Sequence, residues 1–174
     1  FFKTHAVQTG NFEPAIIFES SGTTGSTPSR HLIKDLSLYE DSFIKGFSNI
    51  YGSLDNWCIL GLLPSYLERS HSSLVYMVDR MIHLSGHTES GFFLHDTNRL
   101  KATLEQLEKS GQKTLLIGVT YALLDFAEKY PLRLSNTVIM ETGGMKGRRE
   151  EMVRDEVHAL LKKAFEVESI HSEY

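Results

Sequence analysis

The chain has 174 residues, 41% of them hydrophobic and 23% charged, enough apolar material to close a core in one domain without disulfides or a structural metal. A formal net charge of -4 provides no basic field, which argues against duplex nucleic acid or an anionic membrane surface as a main partner. One cysteine, Cys58, has no internal disulfide partner, so a reducing, cytoplasmic setting is expected, and no apolar run is long enough to span a bilayer.

Apolar runs of strand length alternate with helical periodicity along the chain, the pattern of an α/β fold with a mostly parallel sheet and helices on both faces. Ala15 to Phe18 predicts a strand entering a loop rich in Ser, Gly and Thr. Ser37 to Glu40 offers a capping box, and Leu36, Tyr39, Phe43, Phe47 and Ile50 recur on one face of the helix expected after it. Trp57 to Leu63 is an apolar strand stopped by Pro64; Cys58 lies inside it and is expected to pack, since a reactive thiol needs an accessible, electropositive setting. Leu74, Met77, Val78, Met81 and Ile82 mark the next helix face, and Gly91 to Leu94 a short strand.

Asp96 is placed to cap a helix carrying Leu100, Leu104 and Leu107, with Gly111 where a left-handed residue ends it. Thr114 to Val119 predicts a strand and Thr120 to Lys129 a helix, which Tyr130-Pro131 ends because the residue before proline avoids helix. Thr137 to Met140 follows as a strand. Met152, Val153, Val157, Leu160 and Leu161 stripe a helix expected from about Gly147, and Val167 to Ile170 is expected as a last strand. Lys146, Arg148 and Arg149 are followed at once by Glu150 and Glu151, which favours a solvated face. Phe1-Phe2 has no initiator methionine and Tyr174 no polar tail after it, so both ends are expected to be cut.

The densest chemical signal is Ser20-Ser21-Gly22-Thr23-Thr24-Gly25-Ser26-Thr27-Pro28, directly after a strand. Glycines let backbone N-H groups turn toward a ligand and hydroxyls add donors, so such a loop is able to wrap phosphate oxygens. The same composition also suits a plain Gly/Ser turn. No lysine follows Gly25, so the Walker spacing is absent.

Ser-Gly-Thr-Thr-Gly followed by proline resembles the phosphate loop of the adenylate-forming (AMP-binding) superfamily, in the large N-terminal domain of those enzymes. Leu62-Leu63-Pro64-Ser65-Tyr66 resembles the strand and proline that lead into its acyl-pocket helix, and Leu116-Ile117-Gly118-Val119-Thr120 its strand-to-helix segment usually reading Gly-Val-Pro. Thr142-Gly143-Gly144 resembles the glycine turn packed on adenine, and Ser172-Glu173-Tyr174 the start of the Tyr-Gly-x-Thr-Glu motif. Within the superfamily, Phe2-Lys3-Thr4-His5, Phe18-Glu19-Ser20-Ser21 and Leu63 to Arg69 are most similar to the acyl-protein synthetases of the bacterial luminescence type.

The resemblance implies ATP-dependent activation of a carboxylic acid, a long-chain fatty acid in the luminescence branch, to acyl-AMP with release of pyrophosphate. Transfer to a thiol on protein or on coenzyme A would follow. It implies ATP and magnesium as cofactors, with Ser20, Ser21, Gly22, Thr23, Thr24, Gly25, Ser26 and Arg30 around the phosphates. Gly143, Gly144 and Tyr174 would hold adenine, and Tyr66, His71 and Gly118 would line an acyl pocket. The loop departs from the family pattern in having Ser29-Arg30-His31 after Pro28 instead of lysine. The family's magnesium carboxylate, ribose aspartate and mobile lysine would lie beyond Tyr174. An aryl- or acyl-CoA ligase of the phenylacetate type and a non-catalytic nucleotide-binding or interaction module remain the alternatives. His83 and His87 are four apart, but Ser85-Gly86 breaks the helix between them and no third ligand follows at a familiar spacing.

Overall fold

In a computed structural model that describes residues 8–20, 28–65, 67–144 and 152–173, the chain forms two units: Phe1–Leu54 with Ser65–Met81, and Asp55–Pro64 with Ile82–Tyr174. In the first, the apolar run at Ile16 forms β1 (Ile16–Glu19) as expected. It pairs antiparallel with β2 (Arg30–Ile33), Phe18 opposite His31 and Glu19 opposite Arg30. The strand β2 was not legible in Arg-His-Leu-Ile, because a short edge strand needs only a partner's hydrogen bonds and no apolar alternation.

Helix α1 (Leu36–Tyr51) is capped two residues before the expected capping box. Asp35 is the cap, its carboxylate accepting from Ser37 N at 2.9 Å. Glu40, freed from that role, accepts from Tyr76 Oη at 2.5 Å and from Arg80 Nε and Nη2 at 3.0 and 3.2 Å. Tyr76 and Arg80 lie on α2 (Ser73–Ser85), which ends where Gly86 turns to a φ of 62°. Phe18, Tyr39 and Tyr76 pack as a ring cluster with centroids 5.4 to 6.1 Å apart, and Tyr39 Oη donates to Ser73 O. On the α1 face, Phe47 is buried but Ile50 is exposed, since the apolar stripe outruns the surface that covers it.

The second unit is an α/β fold with a five-stranded parallel sheet flanked by helices, as the alternation predicts. Its strands are β3 (Cys58–Leu62), β4 (Gly91–Phe92), β5 (Thr114–Gly118), β6 (Thr137–Glu141) and β7 (His171–Ser172), in the spatial order β4-β3-β5-β6-β7. Every residue of β3 and β5 is buried, as expected of central parallel strands, which need no polar alternation. Helices α3 (Thr97–Ser110), α4 (Thr120–Lys129) and α5 (Arg154–Phe165) bury Leu100, Leu104 and Leu107, then Leu123, Leu124 and Phe126, then Val157, Leu161 and Phe165. Asp96 caps α3 by accepting from Arg99 N at 3.0 Å, and Gly111 ends it at a φ of 70°, both as predicted.

Two expectations fail near the C-terminus. The helix expected from about Gly147 begins at Arg154, after Val153, which is exposed; its N-H is held by Glu156 reaching back from the first turn at 3.3 Å. The basic cluster at 146–149 lies outside the described residues. The last strand is His171–Ser172, not Val167 to Ile170: Glu166 adopts a left-handed φ of 52°, and the chain reaches β6 only at His171 opposite Met140. The Gly91 strand is likewise shorter than its apolar run, ending at Phe92.

Cys58 is fully buried in β3, with Ser90 Oγ directed at its sulfur from 3.8 Å. Burial pushes the thiol up to about 11, which leaves little thiolate at neutral pH. Ellman's reagent at pH 8 is expected to label Cys58 in the unfolded chain and not in the native one. Equal labelling rates would overturn that placement.

Candidate functional site

In the first unit, three of the proposed ligand residues come together around one loop. Ser20 follows β1, donates its N-H to Ser29 O at 2.9 Å and accepts from Ser29 N on its hydroxyl, also at 2.9 Å. This reciprocal pair closes the segment 21–27; Ser21, Gly22, Thr23, Thr24, Gly25 and Ser26 lie outside the described residues. Arg30 stands on β2 opposite Glu19, its Nε 3.8 Å from the carboxylate, with both side chains largely exposed. An exposed pair of this kind contributes little stability, which leaves Arg30 available to an incoming anion at small cost. His71 is exposed, and its carbonyl accepts from Glu19 N at 2.8 Å, so the 71 segment abuts the strand end that enters the loop. Tyr66 lies outside the described residues.

The second unit gathers the other described residues at the carboxyl ends of β5, β6 and β7. Counted within this unit the strand order is 2-1-3-4-5, an arrangement in which ligands sit beyond the carboxyl ends of the strands. Gly118 is the last residue of β5, and its carbonyl accepts from Thr142 N at 3.0 Å. A Cβ there would lie 2.9 Å from Leu62 Cβ, 3.1 Å from Leu123 Cγ and 3.2 Å from Leu62 O, so glycine is required for β3 and β5 to approach. Gly118→Ala is expected to cost about 1–3 kcal/mol by overpacking, read as a lower urea midpoint at constant slope. An unchanged midpoint would show that the strands have room to part.

Gly143 and Gly144 both adopt left-handed backbone, with φ of 73° and 89°. Their carbonyls accept from Thr120 N at 3.2 Å and Tyr121 N at 3.4 Å, the free N-H groups of the first turn of α4. Val119, the residue before that helix, makes no side-chain cap, so the glycine turn does the capping. This also means that the N-terminus of α4 is already occupied by carbonyl oxygen and is no phosphate site. Tyr174 lies outside the described residues.

At the centre is Glu141, which belongs to none of the motifs of the resemblance. Glu141, at 3% exposure, ends β6, and among the described residues it accepts from Gly143 N at 2.8 Å and Thr120 Oγ1 at 3.0 Å on Oε2, and from Ser172 Oγ at 2.7 Å on Oε1. Its backbone carbonyl accepts from Glu173 N at 3.0 Å. On α5, His158 Nε2 and Arg154 Nε face Oε1 at 3.6 and 3.9 Å. Burial pushes the carboxyl up, but the bonds from Ser172, Gly143 and Thr120, with the charge of His158, outweigh it and hold the group below the usual carboxylate range. Nearby Glu173 has no such offset, and burial raises its carboxyl. In the sequence, Glu141 is one acid after an apolar strand; only the pairing of β6 with β5 and β7 reveals its partners.

Among the described residues no group of three or more His, Cys, Asp or Glu is placed to hold a metal, and the carboxylate that the resemblance implies for magnesium would lie beyond Tyr174. A cavity of about 290 Å³ lined by Leu124, Ala127, Pro131 and Leu160 shares no residue with the cluster. No helix among the described residues is long and apolar enough to cross a membrane. No family model matches the chain, and no curated protein or solved structure matches it, so the chemistry of the cluster is read from its own residues.

Proposed function

We propose that this chain binds ATP and a carboxylic acid as part of an adenylate-forming enzyme. The observation that supports this most is the convergence of Gly118-Val119-Thr120, Thr142-Gly143-Gly144 and Ser172-Glu173. These three segments, read separately as resembling motifs of one superfamily, end three neighbouring parallel strands on the side where such sheets bind ligands. The Ser/Gly/Thr segment, for its part, is bounded by two antiparallel strands and pinned at Ser20 and Ser29, which suits a loop that offers backbone N-H groups to phosphate.

In the reaction this implies, a carboxylate oxygen attacks the α-phosphorus of ATP in line. The new C(O)O-P bond forms as the bond to the β-phosphate oxygen breaks, and pyrophosphate leaves with its electron pair. A thiol then displaces AMP from the acyl carbon, losing its proton and forming a thioester. The contribution the resemblance implies is positioning and charge neutralisation, taken unit by unit: donors of 20–26 and the Arg30 cation for phosphate in the first, the Gly143-Gly144 turn for a base in the second. No step is assigned to magnesium.

The test is ATP-pyrophosphate exchange by the protein against a panel of long-chain and aromatic carboxylic acids, together with calorimetric ATP binding. Thr23→Val with Thr24→Val is expected to weaken polyphosphate binding by about 1.5–3 kcal/mol per lost charge-assisted bond. Exchange undiminished by the double substitution, or no saturable ATP binding by the unsubstituted chain, sinks the proposal.

A further inference from the structure

Two consecutive left-handed glycines have no conformational preference of their own, so a turn built from them keeps its shape only if something outside holds it. No described atom lies within 4 Å of where a Cβ on Gly143 would sit, so the contacts that hold Gly143 among the described residues are its hydrogen bonds. The two carbonyls are fixed by the first N-H groups of α4, and the Gly143 N-H by the Oε2 atom of Glu141. The same carboxylate binds Thr120 and Ser172, so one side chain locks together the start of α4, the turn and β7.

We infer that Glu141 is a positioning residue that shapes the Gly143-Gly144 turn as a platform for the base of a nucleotide and ties it to Ser172. This rests on the nucleotide-binding reading proposed above. Glu141 touches no ligand in this role; it acts through Gly143. Its position facing Arg154 and His158 on α5 suits an ionised carboxylate, the form that serves three donors at once.

The prediction separates base from phosphate. Glu141→Ala removes buried bonds on which folding depends, so Glu141→Gln is the second variant. Glutamine has one acceptor oxygen and places an NH2 group either against Gly143 N-H and Thr120 or against Ser172 and His158. Replacing a charged acceptor with a neutral one should weaken ATP binding about tenfold. Binding of inorganic tripolyphosphate, which has no base, should stay unchanged. Both are measured by calorimetry on the 174-residue chain, with circular dichroism to show that each variant is folded and the Gly143 amide resonance to show that the turn has moved.

A folded Glu141→Gln chain whose Gly143 resonance moves while ATP affinity holds overturns the inference. So does an equal loss of affinity for ATP and tripolyphosphate, which would make Glu141 a general structural residue. If the unsubstituted chain binds neither ligand, the nucleotide-binding reading fails and the inference with it, a result distinct from the other two because it appears before any substitution.

Discussion

Glu141→Ala is expected to destabilise the chain by about 2–4 kcal/mol at pH 7, since it leaves the buried Thr120 Oγ1 and the half-buried Gly143 N-H and Ser172 Oγ without their acceptor, and an orphaned buried group costs about 1–3 kcal/mol, a half-buried one less. Losing the buried charge itself offsets part of that sum. The pH dependence carries the sign of a depressed carboxylate. Its contribution is fully present above the unfolded glutamate value of about 4.3, and it disappears as pH falls through the lower value of the folded state. Urea unfolding of both proteins at pH 7, 5 and 3 should therefore show a gap that is wide at the first two and narrower at the third. A gap that is the same at pH 3 as at pH 7 would mean that ionised Glu141 does not hold the turn.

Phe165→Ala is expected to cost about 3–5 kcal/mol, the range for deleting a fully buried aromatic side chain. Phe165 has no exposed surface, its ring centroid lies 6.1 Å from that of Phe126 on α4, and its carbonyl accepts from Leu134 N at 3.0 Å. The cavity would loosen the seam between α4 and α5, the helices that carry Thr120 on one side and Arg154 and His158 on the other. For a chain of this length the melting temperature should fall by roughly 10 °C. A fall of less than about 3 °C would mean that neighbouring side chains collapse into the space. The Gly143 amide resonance is expected to shift in this variant as well, because α5 brings its basic groups to Glu141.

Several elements could be placed from the sequence because their signals are local. Asp96 and Gly111 bound α3 as predicted, since a cap needs one side chain or one left-handed residue and no distant partner. The strands at Cys58 and Thr114 are legible as unbroken apolar runs, because a central parallel strand has no polar face to keep. Where several carboxylates compete, proximity in sequence misleads. Ser37 and Glu40 have capping-box spacing, yet Asp35 caps the helix and Glu40 turns to Tyr76 and Arg80, partners that only the packing of α2 supplies.

By itself the sequence determined the alternation of strands and helices, the buried place of Cys58 and the glycines that must turn, since composition, period and backbone sterics are properties of a few neighbouring residues. Strand order, the late start of α5 at Arg154 and the move of the last strand to His171 were decided only by tertiary structure. So was the knot at Glu141. A carboxylate in a strand end is neutral information until parallel pairing sets Gly118 beside Glu141 and Glu141 beside Ser172. Hydrogen-bond partners 21 and 31 residues away are a consequence of register, which no local pattern encodes.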